Sequence, residues 1–137
     1  MALTSNLRRQ HTEILTLVEE ITAAFKSIPP VFEEIGELLP ELAGKLKIHL
    51  AMEDKALYPK LLASKEIQTR QIAENFLNEM GNLKETFEVY HKRWNSVLKI
   101  KEQYDRFRQE TPLIFNALTE RISREDQQLY DLADKRV

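Results

Sequence analysis

Ionisable side chains interrupt several apolar stripes of this sequence, and they are the residues whose types and spacing could do chemistry. His11 fills the only seven-residue gap in a stripe that otherwise steps by three or four, between Leu7 and Ile14. A second stripe of leucines steps directly onto His49 and Glu53. These two residues are four apart, so on a helix they share one face. Imidazole and carboxylate groups in this arrangement can bind a metal ion or exchange protons.

A later stripe is interrupted in the same way, where Ile114 and Leu118 are followed by Arg121 and Glu125. A charged group is rarely buried without a partner, because removing an isolated charge from water is too costly. The interrupting residues are therefore expected to neutralise one another or to hold an ion. They are His11, His49, Glu53, Arg121 and Glu125.

Prolines and helix-forming composition set the expected boundaries of the elements that carry these residues. The Pro29-Pro30 pair must end a first helix, whereas Pro40 and Pro112 are each expected to open one, the latter with Thr111 as its N-cap. Proline at 59 predicts a distorted last turn. The expected elements are helix A over 4–27, a short segment over 31–39, helix B over 40–62, helix C over 65–100 with a weak point at Gly81, and helix D over 111–133.

Length and composition favour an all-α fold. The 137 residues are enough for one domain, which is expected to span 1–137, and only three glycines occur among 42% hydrophobic and 31% charged residues. Four main helices with short connections pack most simply as an antiparallel up-and-down four-helix bundle. The interrupted stripes would then meet in the bundle interior.

Composition also removes several classes of function. Without cysteine there are no disulfides, iron–sulfur clusters or thiol nucleophiles, and a net charge of −2 gives no attraction for nucleic acid. The first ten residues lack the apolar core of a signal peptide, and no apolar run is long enough to span a membrane. No glycine-rich phosphate loop or nucleophile-histidine pair appears. We therefore expect a cytoplasmic protein without nucleic-acid or membrane partners, and more readily a non-enzyme than an enzyme.

Three motifs resemble the hemerythrin and HHE cation-binding family along nearly the whole chain. They are the histidine of helix A, the HxxxE within LKIHLAMEDKALYP and the closing RISREDQQLY. The resemblance implies a four-helix bundle with a pair of non-haem irons. It matches His11 to the family's helix A histidine, His49 to the helix B histidine and Glu53 to the carboxylate that bridges the two metals.

The chain departs from the family pattern at the second metal position. The family's HxxxH pair on helix C falls on Phe76 and Met80, and its helix D histidine falls on Arg121. The helix D carboxylate is either Glu125 or Asp126, depending on which form of the motif is followed. Reversible dioxygen binding needs two irons, so the resemblance does not extend to dioxygen carriage.

Three interpretations of the buried groups remain open. In the first, His11, His49, Glu53 and Glu125 bind one ion of iron, manganese or zinc, without haem, for metal binding, small-ligand sensing or regulation. In the second, no metal binds, Arg121 bonds Glu53 or Glu125, and the scaffold is a regulatory module that binds a protein partner or a second copy. In the third, the protein is a diiron oxidase or peroxidase.

Two further ionisable residues of helix C are expected to lie outside this site. His91 follows Met80 by eleven residues, roughly 16 Å along a helix, and with Tyr90 and Trp94 it is expected to form a packing layer. Glu79 flanks the apolar seam, where a solvated position is commoner than an inward ligand role.

Overall fold

The computed structural model describes residues 2–136, which form helices and short connections without any strand. Two five-residue π-helical turns each join two α-helices into one continuous rod. The all-α prediction is confirmed. The elements are α1 (Ala2–Lys26), α2 (Phe32–Met52), the turn π1 (Glu53–Leu57), α3 (Tyr58–Leu62), α4 (Ile67–Arg93), α5 (Val97–Glu102), α6 (Tyr104–Arg124), the turn π2 (Glu125–Leu129) and α7 (Tyr130–Arg136).

Pro40 lies inside α2 and does not open a helix, so the separate segment expected over 31–39 was wrong. A proline within a helix costs about 3 kcal/mol. Here Ile35 and Leu39 before it and Leu42 after it are all fully buried. Burial of such side chains contributes about 1.5–3 kcal/mol each, which outweighs the cost and keeps the helix continuous.

Pro112 is likewise internal, because α6 begins at Tyr104, eight residues before it. The N-cap role expected for Thr111 was therefore wrong. Its side chain is buried, and its hydroxyl lies 2.7 Å from that of Tyr90 on α4. Phe107 is buried ahead of the proline, so packing again holds both sides of the helix in place.

The expected helix C is divided near its C-terminal end, since α4 stops at Arg93 and Ser96 caps the short α5. The Ser96 hydroxyl accepts a hydrogen bond from the amide of Lys99. Gly81 lies within an unbroken α4 and is not a weak point. The distortion predicted near Pro59 is confirmed: the π1 turn comes just before it, and the proline stands in the first turn of α3.

A polar layer separates two apolar clusters. The larger cluster contains Ile14, Leu46 and Leu118, and the smaller one contains Leu7, Leu57 and Leu129. On α1 and on each of the two rods, the ionisable residues lie between members of the two clusters. Residues on different rods are thereby brought to one level: His11, His49 with Glu53, and Arg121 with Glu125. Within residues 2–136, no helix combines the length and apolarity needed to cross a membrane.

Candidate metal centre

Four side chains meet in the polar layer, and each offers one metal-binding atom within 4.8 Å of the others. Nε2 of His11 lies 3.0 Å from Nε2 of His49 and 3.0 Å from Oε1 of Glu125. Nε2 of His49 lies 3.4 Å from Oε2 of Glu53. All four residues are at most 2% exposed. The structure thus brings together the four residues that the sequence selected as candidate ligands.

Each of the two carboxylates begins a π-helical turn. Glu53 is the first residue of π1, and Glu125 is the first residue of π2. The backbone N–H of Tyr58 donates to the carbonyl of Glu53, and that of Tyr130 donates to the carbonyl of Glu125, which is the i→i+5 pattern of a π turn. Each tyrosine is therefore placed on the same side of its helix as the glutamate five residues earlier, and both side chains are buried.

The two π turns share the sequence pattern E-D-x-x-L-Y, at residues 53–58 and 125–130. Hydrogen bonds connect the two patterns, one directly and one through Arg121. Tyr130 from the second pattern donates to Glu53 in the first, and Tyr58 from the first accepts a hydrogen bond from Arg121, which itself bonds Glu125 in the second. Sequence reasoning missed both tyrosines, and this repeated pattern was the signal that could have found them.

Hydrogen bonds on the outer edges of the imidazole rings orient both histidines. Nδ1 of His11 lies 2.9 Å from Oδ1 of Asp126, and Nδ1 of His49 lies 2.8 Å from Oε1 of Gln10. When each Nδ1–H donates outward, the two Nε2 atoms face the cluster. Arg8 holds Asp126 in turn, because its guanidinium donates to the Asp126 carbonyl at 3.1 Å. Metal-bound histidines are usually oriented by this kind of outer partner.

The Tyr130 hydroxyl lies at the centre of the cluster. It donates to Oε2 of Glu53 at 2.6 Å and lies 3.1 Å and 3.3 Å from the Nε2 atoms of His11 and His49. Burial and the nearby Glu53 and Glu125 carboxylates raise the pKa of Tyr130 far above its usual value, so the phenol keeps its proton. The other oxygen of Glu53, Oε1, is buried and has no hydrogen-bond partner among the residues that the structure describes.

The charges of the cluster are coupled. Burial by itself would lower the pKa of His49, but hydrogen bonds and charge from Glu125 and Glu53 outweigh it and raise the pKa to about 9. Burial by itself would raise the pKa of Glu125. His11, His49 and Arg121 outweigh it and together hold the pKa below its usual value. The ionised Glu125 carboxylate therefore lies between two cationic side chains, the His49 imidazolium and the Arg121 guanidinium.

A model of the hemerythrin HHE cation binding domain family matches residues 2–133. The chain belongs to this family. Searches of curated proteins and of solved structures each found no match. The resemblance suggested by the histidine and HxxxE motifs is therefore confirmed over nearly the whole chain.

Arg121 is the residue on which the resemblance places the helix D histidine, and each of its three guanidinium nitrogens donates a hydrogen bond. Nε donates to Oε2 of Glu125 at 3.2 Å, and NH2 donates to the carbonyl of Phe76 at 2.5 Å and to the Tyr58 hydroxyl at 3.2 Å. The guanidinium carbon also lies 4.7 Å from the centre of the Phe76 ring. Of the two carboxylate partners left open by the sequence, Arg121 bonds Glu125.

The remaining candidates lie outside the cluster. Asp126 contacts His11 only from the far side of its ring, so Glu125 is the helix D carboxylate that faces the other candidate ligands. Glu79 is half exposed and bonds Arg121 and Arg124, as expected for a residue outside the site. His91 is half-buried in a groove between α2 and α4, and its Nε2 atom has no partner.

Proposed function

We propose that this hemerythrin-like protein binds one metal ion through His11, His49, Glu53 and Glu125, and uses it for small-ligand sensing or regulation. The observation that supports the proposal is the convergence of four buried donor atoms from three helical rods within 4.8 Å. Two imidazole nitrogens and two carboxylates suit iron, manganese or zinc. Such an ion, when bound, would offer a Lewis-acidic or redox-active position to a small ligand.

The donor spacing fits a single ion. Ligand atoms about 2.1 Å from a tetrahedral ion lie roughly 3.4 Å from one another. Four of the six ligand pairs among His11, His49, Glu53 and Glu125 lie 3.0 Å to 3.9 Å apart, and all four donor atoms lie within 4.8 Å of one another. The two imidazoles are already oriented from outside, and Glu53 has a buried oxygen without a partner. Little rearrangement is needed beyond displacement of the His49 proton and a shift of the Tyr130 hydroxyl.

The same site does not favour a pair of metal ions. The family's second set of histidines is replaced by Phe76, Met80 and Arg121. A second divalent ion would stand beside the Arg121 guanidinium, whose like charge repels it. We therefore favour one ion over a diiron oxidase or peroxidase, held in the family's up-and-down four-helix arrangement.

A metal-free scaffold is the second candidate, and two contacts favour it. Arg121 already supplies a fixed cation to Glu125, and Tyr130 already satisfies one oxygen of Glu53. In this case the domain would act through a protein partner. The large apolar side chains exposed among residues 2–136 are spread over several elements rather than forming one stripe: Ile28, Val31, Ile48, Ile67, Val89, Leu98 and Leu113.

Cobalt(II) titration tests the proposal, because its visible absorption reports the number and type of ligands. We expect absorption to grow until one equivalent has been added and then to stop. His49→Ala should abolish the absorption, whereas the double variant Glu37→Ala, Glu41→Ala, at two exposed α2 positions also four apart, should not change it. No absorption in the unmodified protein, with a melting temperature unaffected by metal or chelator, would support the metal-free scaffold.

A further inference from the structure

Two adjoining cavities run along the groove between α2 and α4. The outer one has a volume of about 640 Å³ and extends to His91, and the inner one has a volume of about 190 Å³ and extends to Glu53. Leu50, Asp54 and Lys84 line both cavities. The two cavities are therefore adjacent, and together they are called the path toward Glu53, a proposed metal ligand.

The inner cavity is lined by the one carboxylate of the cluster that has an unused oxygen. Oε2 of Glu53 bonds Tyr130 and faces His49, whereas Oε1 is buried without a partner. A buried carboxylate oxygen without a hydrogen bond costs free energy, so it strongly favours a donor. Leu77 and Met80 contribute apolar wall to the same cavity. A molecule in this space would lie beside Glu53 and against these apolar side chains, with Asp54 and Lys84 on the same lining.

The wall of the inner cavity is open at Gly81. A Cβ atom added there would meet no atom within 4 Å. Because Gly81 lies within α4 at an exposed position, the absence of a side chain leaves the space beside Met80 and Lys84 unfilled. A larger side chain is therefore tolerated at this lining position, so a substitution of Gly81 is the means chosen to narrow the inner cavity.

We propose that this path admits a small uncharged molecule with a hydrogen-bond donor, which binds beside Glu53 and reaches the metal position through the inner cavity. This inference rests on the proposed function, because the metal is what the molecule would report to. A volume of 190 Å³ holds roughly six water molecules at about 30 Å³ each, which limits the ligand to a few non-hydrogen atoms. Asp54 and Lys84 carry opposite charges on the same lining and so favour neither sign of ion, while Leu77 and Met80 cannot replace the hydration that an ion would lose on entry.

Hydrogen peroxide is a probe of this class, and Met80 provides a readout in metal-free protein. Peroxide transfers one oxygen atom to the methionine sulfur, which yields the sulfoxide and water. Met80 is only 6% exposed but lines the inner cavity, whereas Met52 lies outside both cavities and serves as an internal standard. We expect the two to be oxidised at rates within about tenfold of each other in peptide mass spectrometry.

Closing the path should protect Met80 alone. Gly81→Phe, and Leu77→Trp as an independent second variant, should slow its oxidation by about tenfold while Met52 is unchanged. Ala117→Phe, at an exposed position in a different groove, should have no effect. Equal Met80 rates in the unmodified protein and in both closing variants would overturn the path. So would Met80 oxidation that occurs only on global unfolding.

Iron(II)-loaded protein and nitric oxide, a small uncharged probe without a hydrogen-bond donor, test only whether the path reaches the metal and not binding beside Glu53. In stopped-flow absorption, Gly81→Phe should slow both the association and the dissociation of nitric oxide by about tenfold. Its equilibrium affinity for the iron should remain nearly unchanged. Unchanged rates would show that ligands reach the metal by another route. A protein that binds no iron would refute the proposed function, but the Met80 result would still decide whether the path is open.

Discussion

Arg121 and Glu125 lie one helical turn apart, with Nε of the arginine 3.2 Å from Oε2 of the glutamate. The other oxygen of the same carboxylate, Oε1, lies 3.0 Å from Nε2 of His11. One buried carboxylate therefore joins a fixed cation to the proposed metal site. Under the proposed function, this arrangement lets Arg121 serve in place of one metal position while His11, His49, Glu53 and Glu125 serve as ligands of the other.

Replacing Arg121 by methionine should strongly destabilise the metal-free protein. Breaking a buried ion pair by removing one partner costs about 3–5 kcal/mol, because the other charge is left uncompensated. Arg124→Met is the matched control: Arg124 is half exposed, bonds Glu79 and also lies over Phe76. Its loss should cost less than about 1 kcal/mol. Urea unfolding in the presence of a chelator measures both values, and equal losses would contradict the account.

Restoring the three histidines should restore the second metal position. In the triple variant Phe76→His, Met80→His, Arg121→His, imidazoles replace the two apolar side chains and the guanidinium that repels a cation. We expect the bound iron to rise from one to two ions per chain, measured by metal analysis of folded protein. A folded triple variant that still binds only one ion would show that Arg121 is not what excludes the second.

Asp126 should tune metal affinity without being a ligand. It accepts a hydrogen bond from Nδ1 of His11, and losing such an outer partner lowers metal affinity by about 10–100-fold. Asp126→Ala should therefore weaken binding by that factor but leave the stoichiometry at saturation unchanged. Asp131→Ala removes a neighbouring carboxylate that bonds Arg8 and, within the described residues, does not contact His11, so it should have little effect. Competition titration with a coloured chelator compares the two, and identical affinities would contradict the positioning role.

The stability of the metal-free protein should fall as pH rises from about 6.5 to about 9. The pKa of His49 is raised from its ordinary 6.5 to about 9 in the folded protein, where burial is outweighed by Glu125 and Glu53. A raised folded-state pKa stabilises the protein fully below the unfolded value and loses that effect as pH passes the folded value. Urea midpoints measured with chelator across this range should decline, and His49→Gln should flatten the decline. An equal decline in that variant would assign the effect to other groups.

The meeting of His11 with the other candidate ligands could be predicted from the sequence, because helical spacing converts positions in a stripe into positions on one buried face. The positions of His49 and Glu53 within the apolar stripe then fix how far along the helix axis their side chains lie. The same reasoning could not choose between Glu53 and Glu125 as the partner of Arg121. An apolar stripe in the sequence gives no distance between side chains on different helices. The choice of partner depends on how the helices are rotated relative to one another.

The roles of Tyr58 and Tyr130 could not be predicted from a regular 3.6-residue period. Each tyrosine stands five residues after a buried glutamate, a spacing that a π turn brings to the same side of the helix. The predicted helix starts at the prolines were wrong for a different reason. Local preference placed helix starts at Pro40 and Pro112, but burial of apolar side chains on both sides of each proline overrode it.

The metal content of protein expressed with iron, manganese and zinc available tests the central claim most directly. Mass spectrometry of the unmodified protein should find close to one ion per chain, and the double variant His49→Ala, Glu53→Ala should contain none. The control Glu37→Ala, Glu41→Ala, which changes two exposed residues of α2 at the same spacing, should match the unmodified protein. Absence of metal from folded, unmodified protein, or equal metal in both double variants, would contradict the account.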